Sequence, residues 1–216
     1  MSRFAGVLGA IAASLGAWGL FSRSAQSAPA PMDFKETVPV PRQRPAATVP
    51  PASFSPPSQP ARGRLSFAEA KALALKITGT YFPSVDPRML VAMMEIESSF
   101  NPRAKRFERH VSNQYTPNGD SSFGLMQTLW STALWLYHEM GRKAFRVPAP
   151  SFLYDPETSV YFGAAYVAWL QTWRGSRRSE DWIVMSYNGG PGQNNSQTRR
   201  HLVKYHAAKN KQAGDW

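Results

Sequence analysis

The sequence predicts an all-α, mainly helical domain over residues 65–216, preceded by an apolar N-terminal segment (1–28) and a proline-rich flexible linker (29–64). Three observations carry this. Six stretches after Leu65 pair a helix-starting signal or a helix stop with apolar residues at helical spacing. No run alternates apolar and polar residues as a half-buried strand does. No dinucleotide-type glycine loop is present. With 43% apolar and 12% aromatic residues in 216, the chain has material for one domain of about 150 residues with a real core. A fully disordered chain is excluded.

The N-terminal segment opens with Ser2 and Arg3 and then runs without charge from Phe4 to Phe21, interrupted by Gly6, Gly9, Gly16 and Gly19. A helix of that length spans about 27 Å, just short of the hydrocarbon core of roughly 30 Å. Ala25-Gln26-Ser27 before Ala28 offers a small-x-small cleavage site. A signal peptide or a membrane anchor is expected, with a merely buried helix as the third reading. Either of the first two implies a periplasmic or cell-envelope location. Ten of the 18 prolines fall between Pro29 and Pro60 without apolar periodicity. Such a linker favours extended polyproline conformation and reaches on the order of 100 Å.

In the domain, Ser66 followed by Glu69 forms a capping box ahead of Ala70, Leu73 and Ile77. Asp86-Pro87 starts a second helix running to about Ser98. A third is expected from Gln127 to Met140, ending at Gly141. Asp155-Pro156-Glu157 starts a fourth with Tyr166, Trp169 and Trp173 on one face, stopping near Gly175. Ser179 caps a short fifth to about Tyr187, and a basic sixth covers roughly Thr198 to Lys211. The stretch 103–122 carries no readable period.

Net charge is +11, with seven basic and two acidic residues in 1–64 and 18 and 12 in the remainder. Such a balance speaks of anionic partners: envelope polymers, phospholipid headgroups or nucleic acid. With no cysteine, a disulfide scaffold, a zinc ribbon, a thiol nucleophile and an iron–sulfur centre are excluded. His110 and His138 stand alone, and His201 and His206 are five apart, on different faces of a helix. No metal and no cofactor are expected.

Glu97 stands out on position alone. It lies in the last turn of a helix containing Met89, Leu90, Val91, Met93, Met94 and Ile96. Apolar surroundings and the negative end of the helix dipole both penalise its anion, which suits a general acid. The plain alternative is a solvated acid at a fraying helix end. Glu95, two residues earlier, falls on the other side and reads as an ordinary surface acid.

Three ordered motifs surround this residue. Glu97-Ser98-Ser99-Phe100-Asn101-Pro102 is followed by Ser122-Phe123-Gly124-Leu125-Met126-Gln127 and then by Ser186-Tyr187-Asn188-Gly189-Gly190-Pro191-Gly192. In them the chain resembles the soluble lytic transglycosylase family of peptidoglycan-cleaving enzymes, over about residues 85–205. Leu153-Tyr154-Asp155-Pro156 resembles the stretch that opens the helix before the family's third motif. The resemblance implies a lysozyme-like α-domain that binds glycan strands and cuts between N-acetylmuramic acid and N-acetylglucosamine, leaving a 1,6-anhydro ring. It implies Glu97 as the single catalytic acid and base. Ser122, Met126 and Gln127 match groove-lining positions. Tyr187 and Asn188 match the third motif, where the tyrosine hydroxyl is expected near the catalytic carboxyl and the amide near sugar N-acetyl groups. Core packing is the competing reading for Met126, and for the Trp169 and Trp173 stripe.

Two departures bear on the outcome. The family commonly has Ala-Gly where this chain has Gly189-Gly190, a change expected to alter little. The segment 103–120 is longer than the compact family spacing, is expected to carry a loop or hairpin, and places Asp120 four residues before Gly124, as in goose-type lysozymes. At an inverting separation of about 6.5 to 9.5 Å from Glu97, Asp120 would serve as a second acid and turn the reaction to hydrolysis. Two other classes remain in competition. One is a virion-associated wall-breaching or structural glycan-binding protein. The other is a nucleic-acid binder, motivated by Arg177, Arg178, Arg199, Arg200, Lys204, Lys209 and Lys211. For the last, solvated helix faces are the better reading.

Overall fold

A computed structural model describes residues 63–216, so the apolar segment at 1–28 and nearly all of the expected linker at 29–64 lie outside the described residues. In chain order the elements are α1 (Phe67–Tyr81), α2 (Pro87–Ser98), β1 (Lys105–Glu108), β2 (Asp120–Phe123), β3 (Thr128–Leu129), α3 (Trp130–His138), α4 (Pro156–Gln171), α5 (Glu180–Gly189) and α6 (Ser196–Lys211). The mainly helical class is as expected. Among the described residues no helix is long and apolar enough to cross a membrane.

The caps form where the sequence places them. Ser66 accepts from the Glu69 amide while Glu69 accepts from the Ser66 amide at 2.8 Å, closing the capping box of α1. Asp86 and Asp155 cap α2 and α4, each followed by a proline, the residue whose missing N–H costs nothing in a first turn. These two helices form the centre. α2 buries Met89 through Met94 without a break, and α4 buries every residue from Thr158 to Val167. That is the pattern of helices enclosed all round rather than half-solvated. α1 and α6 pack on α2, while α1, α3 and α5 pack on α4.

The unassigned stretch 103–122 folds into part of a three-stranded antiparallel sheet in the order β1-β2-β3, with Lys105 opposite Phe123 and Ser122 opposite Leu129. The hairpin expected there is thus β1 and β2. The strands are four, four and two residues long, too short to show a period. Two helix boundaries are corrected by local backbone. α3 begins at Trp130 rather than Gln127, because Gln127 has φ 46° and Thr128 and Leu129 pair with β2. α4 ends at Gln171 rather than near Gly175. Trp173 therefore leaves the Tyr166 and Trp169 face, and the chain turns through Arg174 at φ 55°.

Candidate functional site

Glu97 lies one residue before the end of α2, and its side chain is only 7% exposed. The helix stops because Ser99 and Phe100 take left-handed backbone, φ 51° and 61°. Their amides donate back to Glu95 O at 2.9 Å and Met94 O at 3.2 Å, a closure usually made with glycine. With Gln127, three non-glycine residues hold this conformation within two short segments, and such local strain collects at functional sites. The Ser98 hydroxyl ties the two segments together by donating to Leu125 O at 2.9 Å.

A buried carboxyl needs polar company. From α6, His201 brings its Nε2 to 3.3 Å from Glu97 Oε1, with the imidazole 11% exposed. The contact is within ion-pair reach but off the line of a hydrogen bond, and Nε2 makes no hydrogen bond elsewhere. From α5 comes Tyr187. Its hydroxyl donates to Met126 O at 2.9 Å and lies 3.3 Å from Thr128 Oγ1. Burial first, and the negative charge of Glu97 second, push its ionisation far up, so it works as a neutral hydroxyl. The tyrosine is close enough to feel Glu97, yet its hydrogen bond goes to the backbone beside it. Asn188 Oδ1, one residue further, is buried without a hydrogen-bond partner.

The turn between β2 and β3 supplies the third motif's neighbours. Gly124 has φ 72°, and a Cβ there would lie 2.0 Å from Leu153 O and 2.6 Å from Ser159 Oγ, so no other residue fits. Gln127 spends its side chain inside the turn, accepting from Ser122 Oγ at 3.0 Å and donating to Ala104 O and Gly124 O. Ser122 is 2% exposed. Met126 is fully buried and packs where Gly163 leaves room on α4, which places its side chain in the core rather than on a groove.

Asp120 is 2% exposed. Its Oδ2 accepts from the Ser131 amide at 3.1 Å and hydroxyl at 2.5 Å, and its Oδ1 from the Ser121 amide at 2.7 Å. The carboxylate is thereby committed to holding β2 against the start of α3. Glu95 also departs from its reading as an ordinary surface acid: it accepts from Lys211 at 2.9 Å and Gln212 at 2.7 Å, fastening the end of α6 to α2.

A row of rings leads away from Glu97. Tyr187 meets Tyr166 at 5.3 Å, Tyr166 stacks on Trp169 at 5.7 Å, and Trp169 meets Trp135 edge-on at 5.0 Å. Trp173 instead packs on Trp182 at 5.4 Å with Arg178 against both rings. Of the seven cations singled out in the sequence, Arg178 is thus bound to tryptophans, and Lys209 and Lys211 are paired with Glu180 and Glu95. Arg177, Arg199, Arg200 and Lys204 are exposed. Among the described residues no three His, Asp or Glu side chains are grouped so as to hold a metal ion.

His201 is the site residue that sequence reasoning missed. The signal was present as a stripe on α6, Thr198, His201, Tyr205, Ala208 and Gln212, spaced three and four apart and turned inward. His206 lies off it, with a side chain 46% exposed beside Asp181.

Fold and site together define a lysozyme-like helical domain that buries a glutamate at the end of its second helix, between an imidazole and a tyrosine. The transglycosylase SLT domain family matches residues 76–211, and the chain belongs to that family. Three relatives are named membrane-bound lytic murein transglycosylase C. Those of Photorhabdus laumondii and Yersinia enterocolitica are 33% and 34% identical over 121 residues, half of this chain. That of Yersinia pestis is 32% identical over 143 residues, 60% of this chain. The matched regions span 28%, 28% and 32% of those relatives' own lengths. Among solved structures, the 70 kDa soluble lytic transglycosylase of Escherichia coli matches 63% of this chain and 19% of its own at 22% identity and TM-score 0.41. An inactive mutant of the lytic transglycosylase Slt of Pseudomonas aeruginosa matches 68% and 24% at 16% identity and TM-score 0.46.

Proposed function

We propose that this domain is a murein lytic transglycosylase that cleaves the β-1,4 bond between N-acetylmuramic acid and N-acetylglucosamine in peptidoglycan glycan strands. The observation that carries the reading is Glu97, buried to 7% exposure at the end of α2 within a domain of the transglycosylase SLT family. Its carboxylic acid protonates the glycosidic oxygen as the bond to muramoyl C1 breaks. The resulting carboxylate then takes the proton of the C6 hydroxyl, whose oxygen attacks C1 and closes the 1,6-anhydro ring. Proton donated and proton recovered balance, so Glu97 ends as it began. Asn188, with its unpartnered Oδ1, is the side chain assigned to a sugar amide, while Ser122, Met126 and Gln127 shape the wall from behind.

The hydrolytic alternative needs a second carboxylate free to activate water. Asp120 is buried and has three of its roughly four acceptor positions taken by the Ser121 amide and by the Ser131 amide and hydroxyl, which favours the anhydro outcome. The names of the relatives, membrane-bound lytic murein transglycosylase C, support an envelope location; attachment through residues 1–28 and a tether over 29–64 are part of the same proposal. Digestion of purified peptidoglycan followed by mass spectrometry of the muropeptides tests the reaction. Anhydro-muramoyl ends are expected, and reducing ends would identify a hydrolase instead. Glu97→Gln is expected to abolish release.

A further inference from the structure

We propose that His201 is a positioning residue for Glu97: its Nε2 holds carboxyl oxygen Oε1, so that Oε2 is the oxygen presented first to the glycosidic oxygen and then to the C6 hydroxyl. This rests on reading Glu97 as the proton-transfer group. Nothing in the motifs assigns a role to His201, which lies beyond the third of them.

The acids that α2 and α5 turn toward α6 pair with four of its seven basic side chains, Arg199, Arg200 and Lys204 being exposed. Asp86 and Glu180 share Lys209 at 3.6 and 2.7 Å, Asp181 takes His206 at 3.0 Å, and Glu95 takes Lys211 at 2.9 Å. Those four acids have side chains 23% to 54% exposed. Glu97 takes His201, and this is the pair withdrawn from water, at 7% and 11%. Tyr187 is a second titratable group beside Glu97, and its hydroxyl is engaged with Met126 O.

Two further observations separate a positioning role from mere packing. A buried imidazole nitrogen ordinarily finds a hydrogen bond, whereas His201 Nε2 has none and points its polar edge at the carboxyl. Catalytic hydrogen bonds that are misaligned without substrate commonly tighten when it binds, and the 3.3 Å separation here already lies within reach of one. The scaffold behind the imidazole is also firmly held. Asn195 caps α6 through Gln197 and Thr198, Tyr205 is fully buried with its hydroxyl on Glu180 at 2.7 Å, and Lys211 and Gln212 anchor the far end on Glu95. The imidazole is therefore delivered by a rigid element, as a supporting group needs to be.

The test is steady-state turnover on peptidoglycan by the full chain and its variants. His201→Ala is expected to lower kcat about tenfold to a hundredfold with KM within about twofold, because only the geometry of the reacting carboxyl is lost. His201→Gln keeps an N–H donor at similar reach and is expected to recover most of kcat. His201→Phe fills the ring's volume without nitrogen and is expected to match His201→Ala in kcat while keeping the wild-type melting temperature. Wild-type kcat in His201→Phe overturns the proposal. So does a loss shared equally by kcat, KM and melting temperature in both His201→Gln and His201→Phe. Should His201→Ala not fold, the Gln and Phe variants decide between them. The dependence on Glu97 is read separately. Full activity in Glu97→Gln removes both readings, whereas an inactive Glu97→Gln alongside His201 variants of wild-type turnover removes this one alone.

Discussion

The hydroxyl of Ser98 donates to the carbonyl of Leu125 at 2.9 Å and shares its proton with Met94 O at 3.1 Å. One side chain thus joins the residue after Glu97 to the turn whose next carbonyl, that of Met126, receives the Tyr187 hydroxyl. Ser98→Ala removes the link and leaves Leu125 O short of a donor. A stability loss of about 1 kcal/mol is expected from one such bond. Activity is expected to fall by more than that loss alone explains, since Glu97 precedes Ser98 at the end of α2 that the bond fastens to the turn. Urea denaturation and turnover on the same preparation check both numbers.

Asp120 is read as a structural carboxylate, and its substitution separates that from chemistry. Asp120→Asn is expected to lower stability by about 1 to 3 kcal/mol, because one oxygen that accepts hydrogen bonds becomes an amide facing donors. The products are expected to retain anhydro-muramoyl ends in unchanged proportion. A shift in the ratio of reducing to anhydro ends would show that Asp120 takes part in the reaction.

Gly189 answers the sequence expectation that its departure from the family pattern matters little. A Cβ at 189 would lie 2.5 Å from Thr198 Cγ2 and 3.1 Å from Gln193 Cβ. Thr198 is held in place as a capping residue, its hydroxyl accepting from the Asn195 amide at 3.0 Å. Gly189→Ala is therefore expected to destabilise by about 1 to 3 kcal/mol through overpacking. Thr198→Ser, which keeps the cap and removes the clashing methyl, is expected to restore most of the loss. A double-mutant cycle by denaturation measures the coupling.

The α5–α6 contact supplies a pH dependence of stability. Desolvation raises the Glu180 carboxyl, but hydrogen bonds from Lys209 and Tyr205 together with the nearby Lys209 and His206 charges outweigh it, and the carboxyl is held below its ordinary value of 4.5. A carboxyl with a lowered folded-state value contributes stability that is complete above its unfolded value and is lost as pH falls through the folded one. Melting temperature is thus expected to drop on acidification below the normal carboxylate range. Glu180→Gln should flatten that part of the profile while lowering stability at neutral pH.

How much of this was legible beforehand follows from how local each signal is. Capping boxes and Asp-Pro starts act within one turn, so Ser66, Asp86, Ser179 and Asp155 mark their helices from neighbouring residues alone. β1, β2 and β3 were illegible because strands of four residues or fewer owe their pairing to a partner across a turn. The α4 terminus was overrun because Trp173 keeps the helical spacing of Tyr166 and Trp169 while Arg174 and Gly175 reverse the backbone. The roles of Glu95 and Asp120 were misjudged or left open for a different reason. A carboxylate's neighbours decide whether it is solvated, structural or reactive, and those neighbours are Gln212 and Ser131.

What the sequence by itself determined was the helical class, the starts of the helices capped by Ser66, Asp86, Asp155 and Ser179, and Glu97 as the acid at the end of an apolar helix, because each depends on residues within a turn or two. Only the tertiary structure decided what surrounds that acid. His201 and Tyr187 reach it from helices far along the chain, Asp120 is drawn away from solvent by Ser131, and Met126 turns inward onto Gly163. Local pattern sets which face of a helix is apolar. Which side chains meet across those faces is set by packing, and the chemistry open to a buried carboxyl depends on that meeting.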